Sequence, residues 1–153
     1  MVKQVALVED EAAIRENYSD ALRSQGYEVR SYIDRQTALQ AFKQQLPDMA
    51  IVDIGLGDDV EGGFELCREL RNMSATLPIM FLTARDSDLD TISGLRLGAD
   101  DYLTKNISIA QVLARVTTLF RRTEALQSDE NKNDRHQVGD LSIDVNSMRV
   151  EWR

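Results

Sequence analysis

Cysteine and histidine occur once each in this chain of 153 residues, as Cys67 and His136, and proline only twice. A lone cysteine excludes an internal disulfide and fits a reducing compartment, the cytoplasm. No apolar run approaches the ~20 residues of a membrane span, so no membrane contact is expected. The opening MVKQVALVED turns acidic too soon for a signal peptide. Basic residues are also short: 18 Lys and Arg face 26 Asp and Glu, a net charge of −8. That balance is not the electrostatic footprint of a nucleic-acid binder.

What is present is a set of short, unbroken apolar runs that end in polar residues. Met49 to Val52 runs straight into Asp53, and Val5 to Val8 into Glu9, Asp10 and Glu11. Such runs suit strands buried on both faces of a parallel sheet. Glu28 to Ile33, then IMFLT after Pro78, then Asp101 to Leu103 supply three more. Between them lie apolar positions at helical spacing: Ile14, Tyr18, Ala21 and Leu22; Ala38, Leu39, Ala41 and Phe42; Phe64, Cys67 and Leu70; Leu89, Ile92 and Leu95. The last helix has the clearest stripe, at Ile109, Val112, Leu113, Val116, Leu119 and Phe120. Five alternations predict an α/β fold, a doubly wound five-stranded parallel sheet over residues 1–124. Residues 125–136, mostly polar with many charges, read as a linker, and 137–153 as a short β-hairpin turning at Asn146-Ser147. An isolated hairpin buries too little to be stable, so 137–153 is expected to open a further domain.

Open α/β sheets bind ligands at the carboxyl ends of their strands. There this chain places Glu9 and Asp10, Asp53, Thr83 with Ala84, and Lys105. Converging carboxylates raise one another's pKa unless a cation is near, and a hard divalent ion such as Mg²⁺ takes one or two of them. An ammonium and a hydroxyl around one carboxylate suit stabilisation of a transferring phosphoryl group, with that carboxylate as nucleophile. Each acid alone would be an ordinary turn-former or helix cap, and Asp10 could cap the first helix. Cys67 reads as a small core residue, and Asp58, Asp59 and Glu61 as a solvated loop.

The pieces VEDE, IVDIG, FLTA and GADDYLTK, in that order, resemble response-regulator receiver domains. The resemblance implies a flavodoxin-like sheet in the order 2-1-3-4-5. It implies that Asp53 accepts phosphate from a sensor histidine kinase, with Asp10, Asp53 and the Gly55 carbonyl binding Mg²⁺ and Glu9 acting through water. Lys105 would hold a phosphoryl oxygen, Thr83 would report its arrival, and Tyr102 would swing inward in response. The other reading of Tyr102 is an ordinary edge-strand tyrosine with a wet hydroxyl. The only histidine, His136, falls in the expected linker, so the phosphate must come from another protein or a small phosphodonor.

LARVTTLFRR, the polar stretch and VGDLSIDVNSMRV resemble OmpR/PhoB-type regulators, in which a winged-helix DNA-binding domain follows the receiver. Residues 137–153 would be that domain's first strands, with DNA bound only through parts absent from this sequence. The same resemblance implies a phosphorylation-favoured homodimer through the fourth helix, fifth strand and fifth helix, with charges from Asp100, Asp101, Arg115 and Arg122. Partners at Thr91 and Gln111 are neutral here, which weakens such a dimer only slightly, since exposed ion pairs contribute ~0–1 kcal/mol each.

Two places depart from the family. Asn106 stands where a cis proline usually follows the lysine. A non-proline cis bond costs ~2.5–4 kcal/mol, so either the fold holds a strained peptide or Lys105 is placed differently. The acidic loop Gly57–Gly63 is about two residues longer than usual for the family and is expected to shape kinase choice or metal access. Three other functions compete. An aspartyl-phosphate hydrolase usually carries a second acid two residues after the nucleophile, where Gly55 stands here. A flavodoxin-like cofactor binder would want a phosphate-cradling loop in place of VEDE. A receiver can also serve only as an interaction module. The first reading, a phosphate-accepting regulator rather than an enzyme, accounts for the most residues.

Overall fold

The strands and helices alternate through β1 (Gln4–Val8), α1 (Ala12–Ser24), β2 (Glu28–Tyr32), α2 (Arg35–Gln44), β3 (Met49–Val52), α3 (Gly62–Met73), β4 (Ile79–Thr83), α4 (Asp88–Arg96), β5 (Asp101–Thr104) and α5 (Ile109–His136). The computed structural model describes residues 2–136, with side chains described through residue 126. All five strands are parallel, in the order β2-β1-β3-β4-β5. The expected sheet is the one observed.

Central strands carry the continuous apolar runs because both their faces are covered. Every residue of β3 and β4 is buried, whereas edge strands β2 and β5 are mixed. Alternate strand residues serve opposite layers. Ala6, Val8, Ala50, Val52, Ile79 and Phe81 meet α2 and α3 through Ala38, Phe42, Leu66, Cys67 and Leu70. Val5, Leu7, Met49, Ile51, Met80 and Leu82 meet α1 and α5 through Tyr18, Leu22, Val112, Val116, Leu119 and Phe120. Each fully buried aliphatic or aromatic side chain contributes ~1.5–3 kcal/mol. Cys67 is a core residue, as expected.

Three details go beyond the sequence pattern. First, the stretch 125–136, expected as a linker, is helical and continues α5, which ends at His136. A polar, charged stretch forms helix readily when it extends one already nucleated, because adding a turn is far cheaper than starting one. The compact unit itself comprises Met1–Phe120, and Arg121 onward forms a second unit. Second, the α4 stripe does not face the core. Leu89, Ile92 and Leu95 are 73%, 47% and 45% exposed, and Gly94 is the buried residue of the helix. A Cβ at Gly94 would come within 3.0 Å of the Phe81 and Tyr102 rings, so glycine lets α4 lie close against β4 and β5. Third, Asp10 does not cap α1, whose N-cap is Glu11 with no side-chain hydrogen bond. The hairpin expected over 137–153 lies outside the described residues.

Candidate functional site

Parallel register brings the carboxyl ends of β1, β3, β4 and β5 to one edge of the sheet. Val8 pairs with Val52, Val52 with Phe81, and Thr83 with Thr104. The next residues are therefore Glu9, Asp53 and Lys105, with Thr83 ending its own strand. Glu9, Asp53 and Thr83 are the buried polar groups here, at 2%, 8% and 1% exposure, while Asp10 faces solvent.

Lys105 joins them. Its Nζ donates to Asp53 Oδ2 at 2.7 Å and lies 2.7 Å from Glu9 Oε1. The other Asp53 oxygen, Oδ1, accepts from the Ile54 amide at 2.7 Å. No peptide bond among the described residues is cis. The strained cis alternative for Asn106 does not hold: the bond is trans, and Lys105 is still in reach of Asp53.

Burial pushes the Glu9 carboxyl up to about 7, opposed by the Lys105 hydrogen bond and the Glu11 amide. Burial alone would lower Lys105, but its bonds to Asp53 and Glu9 outweigh it and hold the ammonium above its ordinary value. The charge on Glu9 therefore depends on the cation beside it.

Glu9, Asp10 and Asp53 each offer a carboxylate oxygen, and these oxygens lie within 4.8 Å of one another. Three hard oxygen donors at that spacing fit a divalent ion that accepts oxygen ligands and keeps waters. Asp10 Oδ2 also accepts from the Gly57 amide at 3.0 Å, which ties the acidic cluster to the loop after β3. Gly55, the remaining expected ligand, is half-buried in that loop.

That loop is not merely solvated. Leu56 is buried at 2% exposure and bridges back to Asp59, with Gly57 turning at φ +65°. Asp59 pairs with Arg35 at 2.9 Å, and Glu61 with Arg85 at 2.7 Å. Asp58 alone of the three acids is exposed without such a partner among the described residues. The loop delivers Gly63, whose amide donates to the Ile54 carbonyl at 2.7 Å. A Cβ on Gly63 would sit 2.0 Å from the Asp53 carbonyl oxygen, so α3 can start there only with glycine.

Tyr102 is half-buried and its hydroxyl donates to the Arg85 carbonyl at 2.7 Å, so the wet-hydroxyl reading does not hold in this conformation. Its ring lies 5.9 Å from Phe81, and burial pushes its pKa up to about 12. Thr83 Oγ1 accepts from the Arg85 amide at 3.3 Å. Both expected switch residues therefore grip the backbone of Arg85. The Arg85 guanidinium meanwhile holds Asp90 and Glu61, each at 2.7 Å, and lies over the Phe64 ring at 5.6 Å.

Three of the four charges expected at a dimer face have partners within the chain. Asp100 Oδ2 takes Arg71 at 3.0 Å and the Ile79 amide at 2.9 Å, and Asp101 takes Arg115 at 2.9 Å. Arg122 is exposed and belongs to the second unit. The roles of Arg35 and Asp59 were invisible in the sequence, since ion pairs between residues 24 apart carry no local pattern.

Residues 5–117 match the response regulator receiver domain family. Over 148 residues the chain is 36% identical to the transcriptional regulatory protein CreB of Escherichia coli K12, covering 97% of this chain and 62% of CreB. It is 38% identical over 148 residues to the alkaline phosphatase synthesis transcriptional regulatory protein PhoP of Bacillus subtilis, covering 94% of this chain and 61% of that one. The chain thus spans about three fifths of the length of these curated relatives. Among solved structures, the receiver domain of Francisella response regulator 1452 shares 29% identity at a TM-score of 0.72, covering 79% of this chain and 98% of the other. A CheY-like receiver from Methanospirillum hungatei, 23% identical, shares the fold at a TM-score of 0.77, covering 82% and 98%. No helix among the described residues is long and apolar enough to cross a membrane. With its parallel 2-1-3-4-5 sheet, its acidic edge and its match over residues 5–117, the chain belongs to the response regulator receiver domain family.

Proposed function

We propose that this receiver is switched by phosphorylation of Asp53. The observation that carries this is the placement of Asp53: its carboxylate is 2.7 Å from Lys105 Nζ and within 4.8 Å of ligand oxygens on Glu9 and Asp10. One Asp53 carboxylate oxygen attacks the donor's phosphorus, the phosphorus–donor bond breaks, and the electron pair leaves with the donor. Lys105 holds one oxygen of the carboxylate beforehand and afterwards faces the added negative charge. Glu9, Asp10, Asp53 and the Gly55 carbonyl would hold Mg²⁺, which when bound neutralises charge on the transferring phosphoryl group.

A sensor histidine kinase is the proposed protein donor and a small acyl phosphate a substitute. Self-phosphorylation from such a donor, and slow loss of the phosphate, would be the only turnover. The same Arg85 backbone receives bonds from Thr83 and Tyr102, so a Thr83 hydroxyl drawn toward a phosphate would release Arg85 and free Tyr102 together. The exposed stripe Leu89, Ile92 and Leu95 makes α4 the natural centre of a phosphorylation-favoured homodimer over α4, β5 and α5. Asp100, Asp101, Arg115 and Arg122 would then contribute charge at its rim. The relatives named as transcriptional regulatory proteins support transcriptional output, in the cytoplasm, as the destination of the signal.

Incubation with Mg²⁺ and acetyl phosphate, read by intact-mass spectrometry, tests the central step. One added phosphoryl group, absent in Asp53→Ala, is expected. Continuous release of inorganic phosphate would instead indicate the hydrolase reading, and no reaction with an intact fold would reduce the domain to an interaction module.

A further inference from the structure

Asp10 is the exposed member of the acidic trio, and a mobile carboxylate binds an ion less well than one held in place. Only one backbone group among the described hydrogen bonds holds its carboxylate: the Gly57 amide, at 3.0 Å from Oδ2. Where Gly57 sits is decided in turn by the turn it belongs to. The Leu56 amide donates to the Asp59 carbonyl at 3.0 Å and the Asp59 amide returns a bond to Leu56 at 3.1 Å. Gly57 reaches its place in that turn at φ +65°, a conformation that L side chains rarely adopt.

The far side of the turn is fixed from another element. Arg35, in the first turn of α2, puts Nε 2.9 Å from Asp59 Oδ2 and Nη1 3.2 Å from Glu69 on α3. Arg35 is 27% exposed at its side chain, which makes this more than a fully solvated pair. The path runs from Arg35 to Asp59 by a side-chain bond, from Asp59 to Leu56 by their paired backbone bonds, along the chain to Gly57, and from the Gly57 amide to Asp10.

We propose that Arg35 is a positioning residue for the divalent ion: by anchoring Asp59 it holds the Gly57 amide against Asp10, and so raises the affinity of the site for Mg²⁺. This inference rests on the reading of Glu9, Asp10 and Asp53 as a Mg²⁺ site. Arg35 bonds to Asp59 and Glu69, and among the described residues none of its bonds goes to Glu9, Asp10 or Asp53. Its removal therefore changes how much Mg²⁺ is needed, and leaves the phosphorylation rate at saturating Mg²⁺ alone.

Calorimetric titration of the full chain with MgCl₂ tests this, alongside acetyl phosphate phosphorylation measured across Mg²⁺ concentration. Removing a direct partner of a ligating group costs ~10–100-fold in affinity, so an anchor two contacts away is expected to cost about 3–10-fold. Arg35→Ala and Asp59→Ala should each show that loss, Arg35→Lys a smaller one, and the double variant no more than either single. Glu69→Ala, which spares the Asp59 pair, should stay within about twofold of the parent, the ordinary scatter of uncoupled sites. Unchanged Mg²⁺ affinity in Arg35→Ala overturns the proposal, as do losses that add in the double variant or a fall in the saturated rate. Absence of Mg²⁺ binding in the unmodified chain would instead bring down the underlying metal-site reading.

Discussion

The Lys105 ammonium lies 2.7 Å from Asp53 Oδ2, although asparagine follows the lysine and the peptide bond between them is trans. The same nitrogen is 2.7 Å from Glu9, so one cation answers two buried carboxylates. Lys105→Met removes a preorganised positive charge from the transferring phosphoryl group. The rate of phosphorylation by acetyl phosphate is expected to fall about 10²-fold, the usual loss for one such donor. A rate equal to the parent's would show that the ammonium does not face the reacting group.

Gly63→Ala tests how tightly α3 is built against the nucleophile. The added methyl would meet the Asp53 carbonyl oxygen at 2.0 Å, against backbone that cannot rotate away. Overpacking of this kind costs ~1–3 kcal/mol and more where backbone must move, so urea unfolding should show a loss of about 3 kcal/mol or greater. Phosphorylation should slow as well, since Asp53 itself is displaced.

Cys67 is fully buried, and burial pushes its thiol up to about 11, with Arg71 only partly opposing. The folded protein at pH 8 should therefore resist a thiol reagent, since the thiolate is the reactive form. Reaction should appear only as denaturant unfolds the chain, with a midpoint matching that from circular dichroism. Prompt labelling in buffer would contradict the packing around α3.

Arg85 makes two bonds to Asp90, and these hold that carboxyl below the usual carboxylate range against the small opposing effect of burial. A folded-state pKa below the unfolded one adds stability that is fully present above the unfolded pKa, near 3.9, and is lost as pH falls through the folded value. Asp90→Asn should therefore cost about 1 kcal/mol at pH 7, and the gap from the parent should close below pH ~4. Urea midpoints from pH 7 down to pH 3 would show it.

The strands were legible because their burial is written in unbroken apolar runs. MAIV and IMFLT could be placed between helices without knowing which helices. The site was legible for the same reason. Strand order and register, once given, send Glu9, Asp53, Thr83 and Lys105 to one edge, and each lies at or just past the end of its strand. Local pattern failed where the decisive neighbour was distant. Leu89, Ile92 and Leu95 have helical spacing, but spacing cannot say that Gly94 is what α4 lays against Phe81. Nor can composition tell that 125–136 extends an existing helix rather than breaking from it.

By itself, then, the sequence determined the alternation of elements, the parallel sheet and the presence of Asp53 at the carboxyl end of a central strand, because each follows from periodicity and strand-end pattern within a few residues. Tertiary structure alone decided how that carboxylate is held: Lys105 reaching across 52 positions to Asp53 without a proline, Gly57 closing on Asp10, and Arg35 and Arg85 pinning the loop between them. The reason is physical. An apolar pattern fixes which face of an element is buried, whereas an ion pair or an amide–carboxylate bond depends on where two remote backbones happen to meet.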